Sequence, residues 1–199
     1  MIVITIDQRA SRTRPDHVDA LIQRLNGSYE TFRRFERTAG DELQGVLENG
    51  RVACALALDV ARTADWSVGI GVGAVRAPLP RQTRAGAGEA FEMARLAVER
   101  AKNAPASIAV AGPGGEAGRI EAELQLVADI GRRRSKASEE AGTMVSSGLS
   151  QKEAAARLGI SQQAVSSRLA SGLWHQCQNL AAHAAEALDR YSRESDGGR

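Results

Sequence analysis

The run Ile2-Val3-Ile4-Thr5-Ile6-Asp7 decides how the first half of the chain is read. A near-continuous series of β-branched residues predicts a strand covered on both faces, and this one ends on an acid. Further along, Ala39-Gly40-Asp41-Glu42 separates two strand-like stretches, Tyr29 to Thr38 and Leu43 to Leu47, and predicts the turn of a hairpin. If the hairpin lies beside the first strand, Asp7 and Asp41 meet at one end of a sheet. Two carboxylates so placed suit a hard divalent cation such as Mg or Mn, and such a cation usually holds a phosphate.

Outward from these strands the pattern alternates. Arg14-Pro15-Asp16 opens a helix in which Val18, Leu21, Ile22 and Leu25 share a face, and Asn26-Gly27-Ser28 stops it. Val52 to Ala64 is rich in Ala and Leu and reads as a second helix. Trp66 to Val75 reads as a strand whose Gly69, Gly71 and Gly73 share one face, so something must approach that backbone closely. A loop with Pro78 and Pro80 leads into a helix over Gly88 to Asn103, then a short strand over Ser107 to Ala111. The order β-α-β-β-α-β-α-β predicts a mixed sheet with helices on one face.

Gly112-Pro113-Gly114-Gly115 is the clearest break, and everything after it reads as helical. The predicted organisation is an α/β domain over 1–112, a linker helix over 113–134 striped by Ile120, Leu124, Val127 and Ile130, an all-α unit over 135–192, and a flexible polar tail over 193–199.

Composition sets outer limits. The chain has 199 residues, of which 43% are hydrophobic and only 4% aromatic, so a real core is available and closely packed Ala-rich helices are expected. The net charge of +2 carries little by itself. Between Gly131 and His175, however, Arg132, Arg133, Arg134, Lys136, Lys152, Arg157 and Arg168 face only Glu139, Glu140 and Glu153, a local excess that suits a polyanion. Cys54 and Cys177 lack metal-type spacing and read as reduced, partly buried thiols. His175 and His183 read as ordinary polar helix residues. No segment approaches the roughly 20 apolar residues that span a bilayer, and no basic stretch precedes an apolar run, so the expectation is a cytoplasmic protein without a membrane partner.

The segment Gly148 to Leu169 carries a helix-turn-helix pattern. Ser150 and Glu153 form a capping box, Ala154, Ala155 and Leu158 supply a buried face, and Gly159 sits at the turn. Ile160 plugs the gap, Ser161 caps the next helix, and Ala164, Val165 and Leu169 point inward. Gln162, Gln163, Ser166, Ser167 and Arg168 are left outward, suited to base edges and phosphates in a major groove. The segment resembles the helix-turn-helix of sigma-like and MarR-type regulators, which implies double-stranded DNA as a partner. Lys152 and the Arg132-Arg133-Arg134 run are candidate phosphate contacts. A final helix to about Tyr191 carries a stripe of Leu173, Cys177, Leu180, Ala184, Leu188 and Tyr191, which can pack on the helix-turn-helix or on a second subunit. Helix-turn-helix proteins commonly read two half-sites, and a homodimer is expected.

Residues 2 to about 111 resemble the SatD-like family, whose palm-type core is related to class III nucleotide cyclases. The resemblance rests on Asp7-x-x-x-Ser11-Arg12, Gly40-Asp41-Glu42-Leu43-Gln44, the strand Val68 to Gly73 and the helix start Gly88-Glu-Ala-Phe91-Glu-Met-Ala94-Arg95. It implies an α/β (α+β) palm or ferredoxin-like N-terminal domain, fused here to the all-α helix-turn-helix. Position by position it implies metal ligation by Asp7 and Asp41, and nucleotide contacts from Ser11, Arg12, Arg37 and Arg95, with Arg37 toward the base and Arg95 toward transition-state charge. Phe91 stands where cyclases place an Asn, and Ala10 where they often have Gly, which implies a core that binds a nucleotide and does little chemistry. The expected function is a DNA-binding transcriptional regulator whose palm-like half senses a nucleotide. The alternative is an active metal-dependent nucleotidyl cyclase or transferase with a helical regulatory tail.

Overall fold

The computed structural model describes residues 1–196. Strands β1 (Ile2–Gln8), β2 (Arg33–Arg37), β3 (Glu42–Leu47), β4 (Trp66–Val72) and β5 (Ile108–Ala111) form one sheet in the order β2-β3-β1-β4-β5. β1 is central and antiparallel to both β3 and β4, and only β5 runs parallel to its neighbour. The even-numbered side chains Ile2, Ile4 and Ile6 enter the main core, while Val3 and Thr5 face the other way. Both faces of β1 are buried, which is why its sequence does not alternate.

The helices packed against the sheet lie on both of its faces rather than one. α1 (Val18–Ser28), α2 (Gly50–Ala61) and α4 (Glu116–Arg133) cover the main-core face. α3 (Glu89–Ala101) covers the opposite face, where its Ala90, Phe91 and Ala94 meet Val3 and Val46. The reason is in β4. A Cβ on Gly69 would collide with the Val98 amide, and one on Gly71 with the Ala90 carbonyl and Ala94 amide. The glycine face is therefore a groove cut to the depth of a helix backbone.

Several boundaries differ from the sequence reading. α1 begins at Val18, not beside Pro15, because the Asp16 carboxylate accepts the Val18 amide (2.9 Å). It also runs through Gly27 and Ser28. β2 is shorter than Tyr29 to Thr38: it is an edge strand with an irregular register between Arg33 and Glu36, and only Phe35 enters the core while Phe32 is 38% exposed.

The second half is α5 (Lys136–Ser146), α6 (Gln151–Leu158), α7 (Gln162–Ser171) and α8 (Trp174–Asp196). α5, α6 and α7 enclose a small separate core of Ala141, Ala154, Ala155, Val165 and Leu169, closed by Trp174. α8 does not stay with this unit. Its Ala184, Ala185, Ala187, Leu188 and Tyr191 join the main core against α2 and α4, and the Tyr191 hydroxyl donates to the Pro113 carbonyl (2.7 Å). Ala184, Leu188 and Tyr191 of the stripe expected to meet the helix-turn-helix or a second subunit are thus covered from within the chain by α2 and α4, while Leu173 at its start is exposed. α4 is likewise no free linker, since Ile120 and Leu124 are fully buried in the main core. Of the expected flexible tail, residues 193–196 are helical and 197–199 lie outside the described residues. Among the described residues, no helix is long and apolar enough to cross a membrane.

Candidate functional site

The end of β1 carries Asp7 into an open groove of about 770 Å³ that is also lined by Ser11, Arg12, Asp41, Ser67 and Lys102. Register explains the assembly. Asp7 pairs across the strands with Glu42 on one side and Ser67 on the other, and the Gln8 amide donates to the Asp41 carbonyl (3.2 Å). The loop after β1 turns on Ala10, whose φ of +56° lies in the left-handed region that favours glycine. Its carbonyl accepts the amides of Thr13 (2.9 Å) and Arg14 (3.1 Å). Arg9 ties this loop to the end of α3, donating to the Lys102 carbonyl (3.0 Å) and to Ser107 Oγ (3.0 Å).

Lys102, at the C-terminal cap of α3, supplies the local cation. Its Nζ lies 3.5 Å from Asp7 Oδ2 and donates to Glu99 Oε1 (2.7 Å). Burial raises the Asp7 carboxyl above its ordinary range; Lys102 opposes that shift, and Asp41 and Glu99 add to it. Ser67 Oγ is fully buried in the same groove with no hydrogen-bond partner among the described residues. Such a hydroxyl can pair with an ordered water or with a polar ligand in the groove.

Asp7 and Asp41 share the groove but are a sparse donor set for two cations. Among the described residues no group of three or more His, Cys, Asp or Glu side chains could hold a metal ion. Moreover, a cation on Asp7 would have to displace or repel the Lys102 ammonium. Lys102, Arg12 and the Ser11 and Ser67 hydroxyls instead form a set that suits phosphate oxygens. Arg12 is exposed and makes no hydrogen bond or ion pair among the described residues, so its guanidinium is available.

Two residues expected in this groove are elsewhere. Arg37 pairs with Asp16 (2.9 Å) and Asp19 (3.1 Å) and donates to the Gly40 carbonyl (2.6 Å), so it braces the hairpin turn against α1. Arg95 is exposed on α3, seven residues before Lys102, which is about 10 Å along a helix axis. Phe91 is a core side chain packed beneath Gly86. Nothing local in the sequence singles out Lys102 or Ser67. Lys102 is a basic residue at the end of a helix leading back to the sheet, a placement that is common and unspecific.

The second candidate surface is α7. Upstream of it, the Ser150 amide donates to Glu153 Oε2 (2.8 Å) while Ser150 Oγ accepts the Glu153 amide (3.3 Å), a complete capping box that starts α6. Gly159 ends α6 at φ +66°, and Ser161 Oγ accepts the Ala164 amide (3.1 Å) to start α7. Val165 and Leu169 point into the core with Ile160 against them. Gln162, Gln163, Ser166 and Ser167 are exposed, Arg168 is half-buried, and Lys152 is exposed on α6.

The Arg run divides three ways. Arg133 is exposed, 3.9 Å from Asp129. Arg132 is not a phosphate contact: its guanidinium donates to the Ala61 carbonyl (2.8 and 2.5 Å) and the Ala106 carbonyl (2.7 Å), tying α4 to α2 and to the turn before β5. Burial lowers its pKa from the ordinary arginine value. Arg134 stacks on the Trp174 ring (4.5 Å) and donates to the Gly172 carbonyl (2.9 Å) and Glu139 (3.1 Å).

No family model matches the chain, and no curated protein or solved structure matches it. The SatD-like resemblance rests on the sequence motifs alone.

Proposed function

We propose that this protein is a DNA-binding transcriptional regulator, reading DNA with α7 and sensing a phosphate-bearing ligand with its α/β half. The observation that carries the reading is the outer face of α7. Gln162, Gln163, Ser166 and Ser167 stand exposed on a helix held at both ends and packed only through its inner side. Side-chain amides and hydroxyls on such a face pair with base edges, and Arg168 and Lys152 supply charge for phosphates.

The groove beside Asp7 supports the sensing half. Its orphaned Ser67 hydroxyl, the free Arg12 and the Lys102 ammonium favour a phosphate group, and a nucleotide is the natural carrier. The β2-β3-β1-β4 order, antiparallel throughout, favours the palm or ferredoxin-like reading of this half. A homodimer belongs to the proposal because a single helix-turn-helix reads few base pairs. Its interface would use apolar side chains that remain outside the core, such as Leu96 (51% exposed), Leu126 (53%) and Leu173 (41%), and not Ala184, Leu188 and Tyr191 of α8, which are buried in the main core.

Selection of bound sequences from random duplex DNA tests the reading. A sequence-selective, salt-sensitive site that Gln162→Ala and Gln163→Ala weaken or relax is the expected result. Absence of any selected sequence would remove it.

The second reading is nucleotidyl transfer. It is favoured by Asp7 and Asp41 sharing one groove, and disfavoured by Lys102 on Asp7 and by the distance of Arg95. Incubation with labelled ATP or GTP and Mn²⁺ separates the two, since only the enzymatic reading yields a product that Asp41→Ala abolishes.

A further inference from the structure

A cleft of about 400 Å³ opens where α2, α4 and α8 meet above the helix-turn-helix. It is separate from the Asp7 groove and shares no lining residue with it. Its volume falls within the range of small-molecule sites. The floor is apolar: Leu58, Val127 and the edge of Trp174, with Cys54 and Cys177 between them. Burial pushes the Cys54 thiol up to about 12, so it stays protonated and behaves as a small apolar group.

The rim is cationic, and its charges are unevenly matched. Asp59 is already committed, accepting from Arg24 (2.5 Å) and from the Tyr29 hydroxyl (3.1 Å). Arg62 and Arg134 share one carboxylate, Glu139 of α5, at 2.6 and 3.1 Å. Arg51 lines the same rim and makes no hydrogen bond or ion pair among the described residues. An unmatched guanidinium above an apolar floor recognises one kind of molecule well. A carboxylate matches the planar fork of arginine, and a hydrocarbon body fills the floor. A phosphate would bring a second charge into a mostly apolar cleft at a larger desolvation cost.

We propose that this cleft binds a small monocarboxylate with an aromatic or aliphatic body, held by Arg51. The position gives the site a regulatory role that rests on the regulator reading. Among the described residues Glu139 is the only ion-pair partner of Arg62, and through it α5 of the helix-turn-helix is tied to the end of α2. A ligand carboxylate in the cleft competes with Glu139 for Arg62 and Arg134. It thereby shifts the balance between a latched and an unlatched helix-turn-helix.

The test begins with binding, which does not depend on DNA. Benzoate, indole-3-acetate and octanoate are titrated into the full chain by calorimetry, each beside its neutral amide. At least one acid should bind with one-to-one stoichiometry, and its amide should bind about tenfold or more weakly. Arg51→Ala should weaken the acid by a similar factor. Ala182→Trp, at an exposed position on the cleft wall, should abolish binding while leaving the melting temperature and circular dichroism of the free protein unchanged. No binding by any of the acids, equal binding of acid and amide, or binding that survives Ala182→Trp would overturn the proposal. The regulatory arm uses the DNA sequence selected above. The bound acid should change DNA affinity in wild type, and Glu139→Gln should reproduce the change without ligand. If the acid binds but no DNA sequence is ever selected, the regulator reading fails and the carboxylate site stands.

Discussion

The Lys102 ammonium stands 3.5 Å from the Asp7 carboxylate, at the place where the strand-end acids alone imply a metal ion. This pairing changes the chemistry of the groove. A cation provided by the chain partly compensates the acid, and the free donors nearby, Arg12 and the Ser67 hydroxyl, favour an anion.

The pH dependence of stability should report Asp7. Its carboxyl is raised by burial, so the folded state holds that proton more tightly than the unfolded chain does. Stability contributed this way is fully present below the ordinary carboxylate value and is lost as pH rises through the raised one. Asp7→Asn should flatten the melting-temperature profile in that window. Lys102→Met removes the main opposing influence and should extend the loss to higher pH. Identical profiles for the three proteins would show that Asp7 is not strained in this way.

Nucleotide binding should follow the groove and not the family pattern. ATP or GTP should raise the melting temperature of wild type, by an amount equivalent to about 2.7 kcal/mol at a hundredfold excess over Kd. Lys102→Ala and Arg12→Ala should lose most of that shift. Arg37→Ala and Arg95→Ala should keep it, because neither side chain lines the groove. Arg37→Ala should also cost less than about 1 kcal/mol, since its ion pairs are on the surface.

Adding one methyl group to the glycine face of β4 should be severe. Gly71→Ala pushes a Cβ into the α3 backbone, which cannot move without leaving the sheet. A loss of about 3 kcal/mol or more, or no soluble protein, is expected. Gly118→Ala, on α4 with open space around it, serves as the control and should be neutral or stabilising.

Arg132 and Lys152 should separate cleanly. Arg132→Ala leaves the Ala61 and Ala106 carbonyls without their donor and should cost roughly 1–3 kcal/mol in denaturant unfolding. It should leave the salt dependence of DNA binding unchanged. Lys152→Ala should leave stability unchanged and reduce the slope of log affinity against log salt by about 1.

Much of the architecture was legible in the residues because it is set by neighbours in sequence. The β-branched run of β1, the Ser150–Glu153 box, the left-handed Gly159 and the cap at Ser161 each depend on interactions within a few positions. The element order through β5 follows from such local rules, and so does the shape of α6 and α7. The glycines of β4 also announced a close approach.

What no local rule contains is the identity of the partner. The Gly69 and Gly71 groove could have received any backbone, and only packing shows that α3 fills it from the second face of the sheet. The stripe on α8 had the right period to be buried, yet its period is the same whether α2 and α4 or another molecule covers it. Lys102 is remote from Asp7 in sequence, and Arg132 is remote from Ala61. Their pairing exists only once the sheet has set the end of α3 beside β1 and laid α4 over α2. Helix caps, turns and periodicity are short-range, so neighbouring residues are enough to fix them. The charge balance of the Asp7 groove, the clamp made by Arg132 and the ion pairs of Glu139 with Arg62 and Arg134 arise from long-range packing, which no short stretch of residues encodes.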